Sequence, residues 1–157
     1  MRDSILHMRV RRARPEDAPA IETLYKMLVV GDENIRVDPA RIRALEQHVG
    51  SHLFVLETES GVRGTAFLTI CLDAMYGFRP YGVVENIVVE TSMRRAGGGR
   101  ELMGAIEQVA RAESCTKLML LSSAARVDAH QLFSRLGFDG KKKRGFVKYL
   151  NRSEEHP

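Results

Sequence analysis

Apolar side chains recur every three or four residues in some parts of the chain and every second residue in others, which separates predicted helices from predicted strands. Residues 8–13 alternate and predict a short strand with Val10 facing inward. Two helices are predicted next. Asp38 followed by Pro39 marks the start of the second, since Asp caps helices and proline is tolerated in a first turn. The apolar stripe of the first helix is Ile21, Leu24, Tyr25 and Leu28, and that of the second is Ile42, Leu45 and Val49.

The middle of the chain has the two-residue period of strands. Residues 52–58 and 62–72 predict two antiparallel strands joined at Ser60-Gly61, a pair of residues typical of hairpin turns. A loop over 73–82, rich in glycine, proline and aromatic residues, leads to an apolar strand over 83–89. These segments indicate that a sheet forms the centre of the fold.

Helices and strands alternate in the last third of the chain. The predicted elements are a helix over 101–113, a strand over 117–121, a helix capped by Asp128 and ended by Gly137, and a strand over 146–150. The buried face of the first of these helices would carry Leu102, Ile106, Val109 and Ala110. The resulting order, β-α-α-β-β-β-α-β-α-β, predicts an α/β fold with helices on both faces of one sheet.

Length and composition fit one globular domain. The chain has 157 residues, 44% of them hydrophobic and 28% charged, so we expect a single domain over 1–157 with its core at about 8–150 and short flexible termini. No apolar run reaches membrane-spanning length and the first ten residues hold no apolar signal segment, so we expect a cytoplasmic protein without a membrane partner. Cys71 and Cys115 are predicted to be reduced thiols, and no Cys/His spacing predicts a metal site.

A glycine-rich segment, Arg94-Arg95-Ala96-Gly97-Gly98-Gly99-Arg100, stands between the predicted strand 83–89 and the predicted helix 101–113. Such a turn presents backbone N–H groups to an anion, and arginines add charge for phosphate oxygens. The segment is neither a P-loop nor a dinucleotide fingerprint, because Arg100-Glu101 follows the last glycine and Leu102 stands where a further glycine would be needed. It predicts a phosphate site, and an ordinary turn with solvated arginines is the alternative.

Two motifs carry a family resemblance. The run Val89-x-x-x-x-Arg94-Arg95-x-Gly97-x-Gly99-x-x-Leu102 and the stretch 129–138, which ends in Gly137-Phe138, resemble the acetyl-CoA signature and the C-terminal helix of the GCN5-related N-acetyltransferases (GNAT). The predicted order of elements also matches, so the resemblance covers nearly the whole chain. It implies a single mixed, mostly antiparallel sheet, splayed between strands 83–89 and 117–121, with a bulge near Glu85 and Asn86.

The resemblance implies acetyl-CoA as the cosubstrate, without a metal. The backbone of residues 87–89 would pair with the pantetheine amides, and the N–H groups of the glycine-rich segment would bind the pyrophosphate. The arginines of that segment would add charge at the phosphates. The implied cofactor contacts are Ile87, Val88, Val89, Arg94, Arg95, Ala96, Gly97, Gly98, Gly99, Arg100, His130 and Phe133.

Glu85 is the candidate catalytic residue. It stands where many family members place a carboxylate base, which removes a proton from the acceptor amine, usually through water. Apolar neighbours on both sides would desolvate the carboxylate and suit it to a base near neutral pH. The alternative is that Glu85 only binds the substrate cation or faces solvent. A backbone N–H within 87–89 would stabilise the oxyanion.

One position departs from the family pattern. The family often carries a tyrosine on its last helix to protonate the leaving thiolate, and the matching residue here is Phe133, which has no proton to give. Whether another acid replaces it stays open. His130 on the same helix is expected to pack or to contact the cofactor rather than to transfer a proton.

The function implied by the resemblance is transfer of an acetyl group to a small-molecule amine or a protein amino group by direct attack in a ternary complex. Acids in the loop 31–38 and aromatic residues in the loop 73–81 favour a cationic acceptor. The alternative is a catalytically weak acyl-CoA-binding or sensor module. The basic run 141–144 is too short to predict a nucleic-acid partner, and the oligomeric state is open, with a homodimer among the options.

Overall fold

The computed structural model describes residues 7–150, and the predicted short termini, 1–6 and 151–157, lie outside the described residues. The strands are β1 (Arg9–Arg12), β2 (Ser51–Thr58), β3 (Gly61–Cys71), β4 (Tyr81–Val89) and β5 (Leu118–Leu120). The helices are α1 (Ala18–Leu28), α2 (Pro39–Gln47), α3 (Thr91–Arg94), α4 (Gly98–Ala112) and α5 (Val127–Arg135), and a 3-10 turn covers Pro15–Asp17. The chain divides into two compact units, one that ends at Leu120 and one that begins at Leu121.

The five strands of the first unit form one mixed sheet in the order β1-β2-β3-β4-β5. Neighbours among the first four strands are antiparallel, and β5 pairs with β4 in parallel. Gly61, the first residue of β3 after the turn from β2, has φ +102°, a left-handed value that glycine adopts without a steric clash. The predicted mixed, mostly antiparallel sheet is confirmed.

Helices cover both faces of this sheet. α1 and α2 pack on the face of β2 that carries Leu53 and Val55, which belong to one buried cluster with apolar residues of both helices. α4 packs on the opposite face, where Leu102 lies against Gly64 of β3 and beside Leu56 of β2. Successive residues of β2 therefore contact different helices, as side chains that alternate across a strand must.

An ion-pair network joins β1 to the turn before α1. Arg11 donates two hydrogen bonds to Asp17, at 2.7 and 2.9 Å, and one to Glu57 at 2.9 Å. Asp17 also accepts a hydrogen bond from the backbone N of Arg14 at 2.7 Å. Burial opposes ionisation of Asp17, but the hydrogen bonds from Arg11 and Arg14 outweigh it, so the pKa of Asp17 is lowered. The network therefore stabilises this packing while Asp17 is ionised.

Predicted helix boundaries are wrong at α2 and α5, and α4 begins at Gly98 rather than at 101. α2 begins at Pro39, and the side chain of Asp38 accepts a hydrogen bond from Ala40 N at 2.8 Å, as predicted. The same helix ends at Gln47, however, so Val49 lies beyond it and is 90% exposed. On α5, Asp128 lies inside the first turn rather than at the cap. Spacing alone locates a helix better than it locates the ends, which depend on hydrogen bonds to a few specific groups.

The predicted strand over 146–150 does not form in the described structure. These residues have no regular secondary structure, and Phe146 and Leu150 are 88% and 86% exposed. An alternating pattern shows that a segment fits a strand, but the strand itself forms only through hydrogen bonds to a neighbour. The sequence period carries no information about whether that neighbour is present.

Candidate active site

Strand β4 carries a bulge in its middle. Between the pairs Thr65–Val88 and Phe67–Glu85, β4 has two residues where β3 has one. The first of these two, Asn86, has φ +52°, in the left-handed region. A bulge bends the strand and changes the direction of the backbone groups that follow it. The structure thus contains the bulge that the resemblance implies.

The pairing of β4 with β5 ends just before this bulge. The parallel pairing ends at the pair Val84–Leu120, whereas β4 continues to Val89. From Glu85 onward, β5 therefore does not cover the edge of β4 that faces away from β3. The pairing of the two strands thus ends at the position predicted for the splay, because β5 ends at Leu120.

The chain passes from β4 through α3 into a helix N-terminus. Arg94 Nε donates to Val89 O at 2.8 Å, which folds this arginine back onto the end of β4. Gly97 has φ +89°, and the first hydrogen bond of α4 runs from Glu101 N to Gly97 O. The N–H groups between these two residues open the helix and point out of its N-terminal end. Such an end attracts anions.

Glycine is required for different reasons at positions 97 and 98 of this turn. A Cβ on Gly97 would have nothing within 4 Å, and its left-handed φ is what favours glycine there. A Cβ on Gly98 would lie 2.7 Å from Leu56 Cδ2 and 3.0 Å from Met93 O. Glycine at 98 therefore lets α4 start close against the sheet. Exposed guanidinium-bearing side chains surround the turn, namely Arg94, Arg95 and Arg100.

Glu85 is exposed at the bulge, together with Asn86, while Val84 and Ile87 on either side are buried. The predicted desolvation of the Glu85 carboxylate is therefore wrong. The neighbours along the chain are apolar, but the alternation of a strand places Glu85 on the face of β4 opposite the buried Val84. The carboxylate is accessible to a solute at the point where β4 leaves β5.

Tyr25 belongs to the apolar stripe of α1, and its side chain packs against the buried cluster. Burial raises the pKa of Tyr25 to about 12 and outweighs hydrogen bonds with Thr65 and Asn86, which lower it, so the hydroxyl stays neutral.

The two site candidates on α5 belong to the second unit. Phe133 is buried at 5% exposure, and its ring meets Phe138 edge-on with the centroids 6.1 Å apart. His130 Nε2 lies 3.0 Å from Ser123 O and donates to this carbonyl. That His130 packs or contacts the cofactor stays a prediction.

Within residues 7–150, no helix is long and apolar enough to cross a membrane. The same residues contain no cluster of three His, Cys, Asp or Glu side chains that could hold a metal ion. Cys71 and Cys115 are free thiols.

The loop between α1 and α2 borders a cavity of about 430 Å³. Side chains of both charges line it, and the lining residues are Lys26, Val29, Gly31, Asp32, Glu33 and Arg36. Arg36 donates to the carbonyl oxygens of Glu33 and Ile35 at 3.0 and 2.6 Å, so its charge helps to fold the loop. The other predicted acceptor loop exposes Met75, Tyr76 and Phe78. Acidic and aromatic side chains of the two loops are thus accessible.

Comparison with known proteins assigns the family. The model of the acetyltransferase (GNAT) family matches residues 19–138, which include the bulge, the glycine-rich turn and α5. The chain therefore belongs to the GNAT family of acetyltransferases. A comparison with curated proteins gives no match.

Solved structures share this fold over most of the chain. A protein of Agrobacterium tumefaciens strain C58, described provisionally as an acetyltransferase, is 26% identical with a TM-score of 0.76, over 90% of this chain and 99% of that one. Glucosamine-6-phosphate N-acetyltransferase from Arabidopsis thaliana is 18% identical with a TM-score of 0.77, over 92% and 99%. The aminoglycoside N-acetyltransferase AAC(6')-Iy, solved with CoA, is 19% identical with a TM-score of 0.77, over 96% and 100%. The last two similarities show the fold alone.

Proposed function

We propose that this acetyltransferase transfers the acetyl group of acetyl-CoA to an amine by direct attack. The observation that carries the proposal is the path from the bulge at Asn86, along the edge of β4 left uncovered by β5, to the N-terminus of α4. In acetyl-CoA, the thioester, the pantetheine arm and the pyrophosphate follow one another in the same order as the bulge, the strand edge and the helix N-terminus. The CoA bound to AAC(6')-Iy, which has this fold, supports the cosubstrate.

The residues present fit acetyl-CoA. The N–H groups that open α4 at Gly98, Gly99 and Arg100 would bind the pyrophosphate, since the helix end carries partial positive charge. The exposed side chains of Arg94, Arg95 and Arg100 would add charge-assisted hydrogen bonds to phosphate oxygens. The backbone of Val88 and Val89 would pair with the pantetheine amides, as a neighbouring strand would.

The chemistry is acyl transfer from sulfur to nitrogen. Glu85 accepts the ammonium proton of the acceptor, directly or through a water, and leaves a nitrogen lone pair free to attack the thioester carbon. The C–N bond forms, the C–S bond breaks, and the coenzyme departs as a thiolate. A backbone N–H within 87–89 stabilises the oxyanion that develops on the carbonyl oxygen. Phe133, at the position of the family tyrosine, has no proton to give to this thiolate.

The acceptor is proposed to be a cationic amine. Asp32 and Glu33 at the cavity beside α1 supply negative charge, and Tyr76 and Phe78 supply exposed ring faces that attract cations. The names of two structural neighbours contain glucosamine-6-phosphate and aminoglycoside, and both kinds of molecule carry amino groups. They support the class of acceptor rather than a particular molecule.

A thermal-shift experiment tests the cosubstrate. Acetyl-CoA should raise the melting temperature of the wild-type protein, because a ligand that binds only the folded state stabilises it. Gly99→Asp should abolish the rise, since it places a carboxylate against the phosphates. Gly104→Asp is the matched control on the same helix, where an added Cβ meets nothing within 4 Å, and it should keep the rise. No shift of the wild type at millimolar acetyl-CoA would overturn the assignment.

A catalytically weak acyl-CoA sensor is the second candidate function, favoured by the absence of an ionisable side chain at Phe133. The two functions differ in turnover rather than in binding. Thiol release from acetyl-CoA should rise when a panel of amines is added, if the protein is an enzyme. A sensor would show the thermal shift with acetyl-CoA but no thiol release with any amine.

A further inference from the structure

One face of β4 carries three side chains in a line, Tyr81, Val83 and Glu85. The pairing of β4 with β3 has no bulge between Tyr81 and Glu85, so side chains alternate between the two faces over this stretch. Val84 lies on the opposite face and is 1% exposed, whereas Tyr81 and Val83 are half-buried and Glu85 is exposed. The accessible face therefore leads along the strand to the proposed base.

Lys117 brings a positive charge to the other end of this line. Gly82 of β4 pairs with Leu118 of β5, so Lys117 stands beside Tyr81 at the start of the parallel pair. Its Nζ lies 5.2 Å from the centroid of the Tyr81 ring, which attracts the ammonium group and limits its freedom. The ammonium group is thus held on the same face of the sheet as the Glu85 carboxylate.

The charge of Lys117 is not neutralised within the part of the chain that the structure describes. Among residues 7–150, the ion pairs join other side chains, and none includes Lys117, which is exposed. Asp73, two residues beyond the end of β3, accepts a hydrogen bond from Met75 N at 3.0 Å and belongs to the loop instead. The ammonium group is available to an anion that approaches this face.

We propose that Lys117 is a specificity-determining residue and that the acceptor is a zwitterion, an amine that also carries a carboxylate or a phosphate. This inference rests on the proposed function. Glu85 receives the ammonium end of the acceptor and Lys117 the anionic end, so the two charges of the face match the two charges of the ligand. Val83 between them offers an apolar contact to the hydrocarbon chain that joins the two ends.

The spacing of the two charges sets the length of the acceptor. Tyr81 and Glu85 are four residues apart on β4, which corresponds to about 13 Å along a strand. A hydrogen bond of about 3 Å at each end leaves about 7 Å between the nitrogen and the anionic oxygens of the acceptor. A chain of about five methylene groups, as in 6-aminohexanoate, has this span.

The test compares two amines of equal length at saturating acetyl-CoA. 6-Aminohexanoate carries a carboxylate where 6-aminohexan-1-ol carries a neutral hydroxyl. The wild type should have a KM for the amino acid about fivefold lower than for the amino alcohol, as expected of one exposed ion pair. High salt should reduce this preference, because it screens exposed charges. Lys117→Met should abolish the preference, and Lys117→Arg, which keeps the charge, should retain it.

Two further substrates define the anion and the length. 6-Aminohexyl phosphate replaces the carboxylate, and a larger preference for it that Lys117→Met abolishes would identify phosphate as the anionic group. β-Alanine is too short to reach from Glu85 to Lys117, so it should have no advantage over 3-aminopropan-1-ol. An equal advantage of the short and the long amino acid would overturn the proposed span and with it the inference.

Tyr81 and Arg111 supply matched variants. Tyr81→Leu removes the ring that holds the ammonium group and should about halve the preference, whereas Tyr81→Phe keeps the ring face and should preserve it. Arg111→Met removes an exposed positive charge from α4, which packs on the opposite face of the sheet, and should also preserve it. If Arg111→Met lowers the preference as much as Lys117→Met does, the inference is overturned.

Calorimetric titration gives a readout that does not depend on turnover. The wild type should bind 6-aminohexanoate about fivefold more tightly than 6-aminohexan-1-ol, and Lys117→Met should bind both equally. Equal affinities in the wild type, or a loss of affinity for both ligands by the same factor in Lys117→Met, would overturn the inference. A wild-type protein that acetylates no amine would overturn the proposed function, and titration would then decide alone whether Lys117 binds the anion.

Discussion

Glu85 and Asn86 are both exposed at the bulge of β4, and Asn86 has a left-handed backbone. The carboxylate of Glu85 is accessible and is proposed to accept the proton of the acceptor amine. Single substitutions at Glu85 can separate a catalytic role from a binding role.

Glu85→Gln keeps the size of the side chain but cannot accept a proton. We expect kcat to fall by roughly 10²–10⁴-fold, the usual size for general acid–base catalysis, while the thermal shift with acetyl-CoA is unchanged. The rising acidic limb of kcat/KM should flatten if the carboxylate produces it. Glu59→Gln, an exposed glutamate in the turn between β2 and β3, is the control and should keep full activity.

Other outcomes for Glu85→Gln have distinct meanings. A higher KM for the amine with an unchanged kcat would make Glu85 a residue that binds the substrate charge. No change in either constant would remove Glu85 from the site. The base would then be sought among Asp32 and Glu33 of the loop between α1 and α2.

At the scale of elements, α4 has two roles. One face packs against the sheet, and its N-terminus is proposed to bind the phosphates. The sequence period predicts the helix and its buried residues Leu102 and Ile106, which are fully buried in the structure. The glycines before it were expected to serve the phosphate. Gly98 instead makes room for Leu56 and the carbonyl of Met93, and this role depends on strands that are distant in the sequence.

Alanine at two positions of α4 should have opposite effects on stability. Gly98→Ala places a Cβ 2.7 Å from Leu56 Cδ2, and we expect a loss of about 1–3 kcal/mol in the free energy of unfolding, as for other overpacked sites. Gly104→Ala meets no atom within 4 Å and should gain about 0.5–1 kcal/mol, since alanine favours the helix over glycine. Urea unfolding measures both. A gain for Gly98→Ala would contradict the close packing described.

At the scale of the whole molecule, the contact between β1, β2 and the turn before α1 rests on the charges of Arg11, Asp17 and Glu57. Side chains of Arg11 and Asp17 are 12% and 9% exposed, so their interaction is weakly screened by solvent. The pKa of Asp17 is lowered in the folded protein, mainly because its hydrogen bonds from Arg11 and Arg14 outweigh the effect of burial. The stabilisation is therefore complete above the unfolded pKa of about 3.9 and is lost as the pH falls through the folded value.

Asp17→Asn should lower the free energy of unfolding at pH 7 by about 3 kcal/mol, because Arg11 loses its bidentate partner in a mostly buried position. Glu57 still pairs with Arg11, so the loss should not exceed this value by much. The variant should also lose less stability than the wild type between about pH 5 and pH 2. Urea unfolding over this range measures the difference. Equal pH dependence of the two proteins would contradict the role assigned to Asp17, and Glu59→Gln is the control.

The sequence alone determined the order of the elements from β1 to α5 except for the short helix α3, and also the hairpin, the glycine-rich turn and the family. These features depend on local rules, such as the period of apolar residues or the capping of α2 by Asp38, and local rules are readable along one chain. The sequence failed where a partner distant in the chain decides the outcome. The strand predicted over 146–150 lacks a pairing partner in the described structure, and Val49 lies beyond the end of its helix.

The tertiary structure alone decided how the site residues face. Glu85 lies among apolar residues in the sequence, but its side chain is exposed on the face of β4 opposite the buried Val84. The bulge that follows Glu85 forms only because β4 and β3 pair out of register between Thr65 and Phe67. A pattern along the chain reports what each residue prefers, whereas the direction of a side chain is set by the neighbours that packing brings to it.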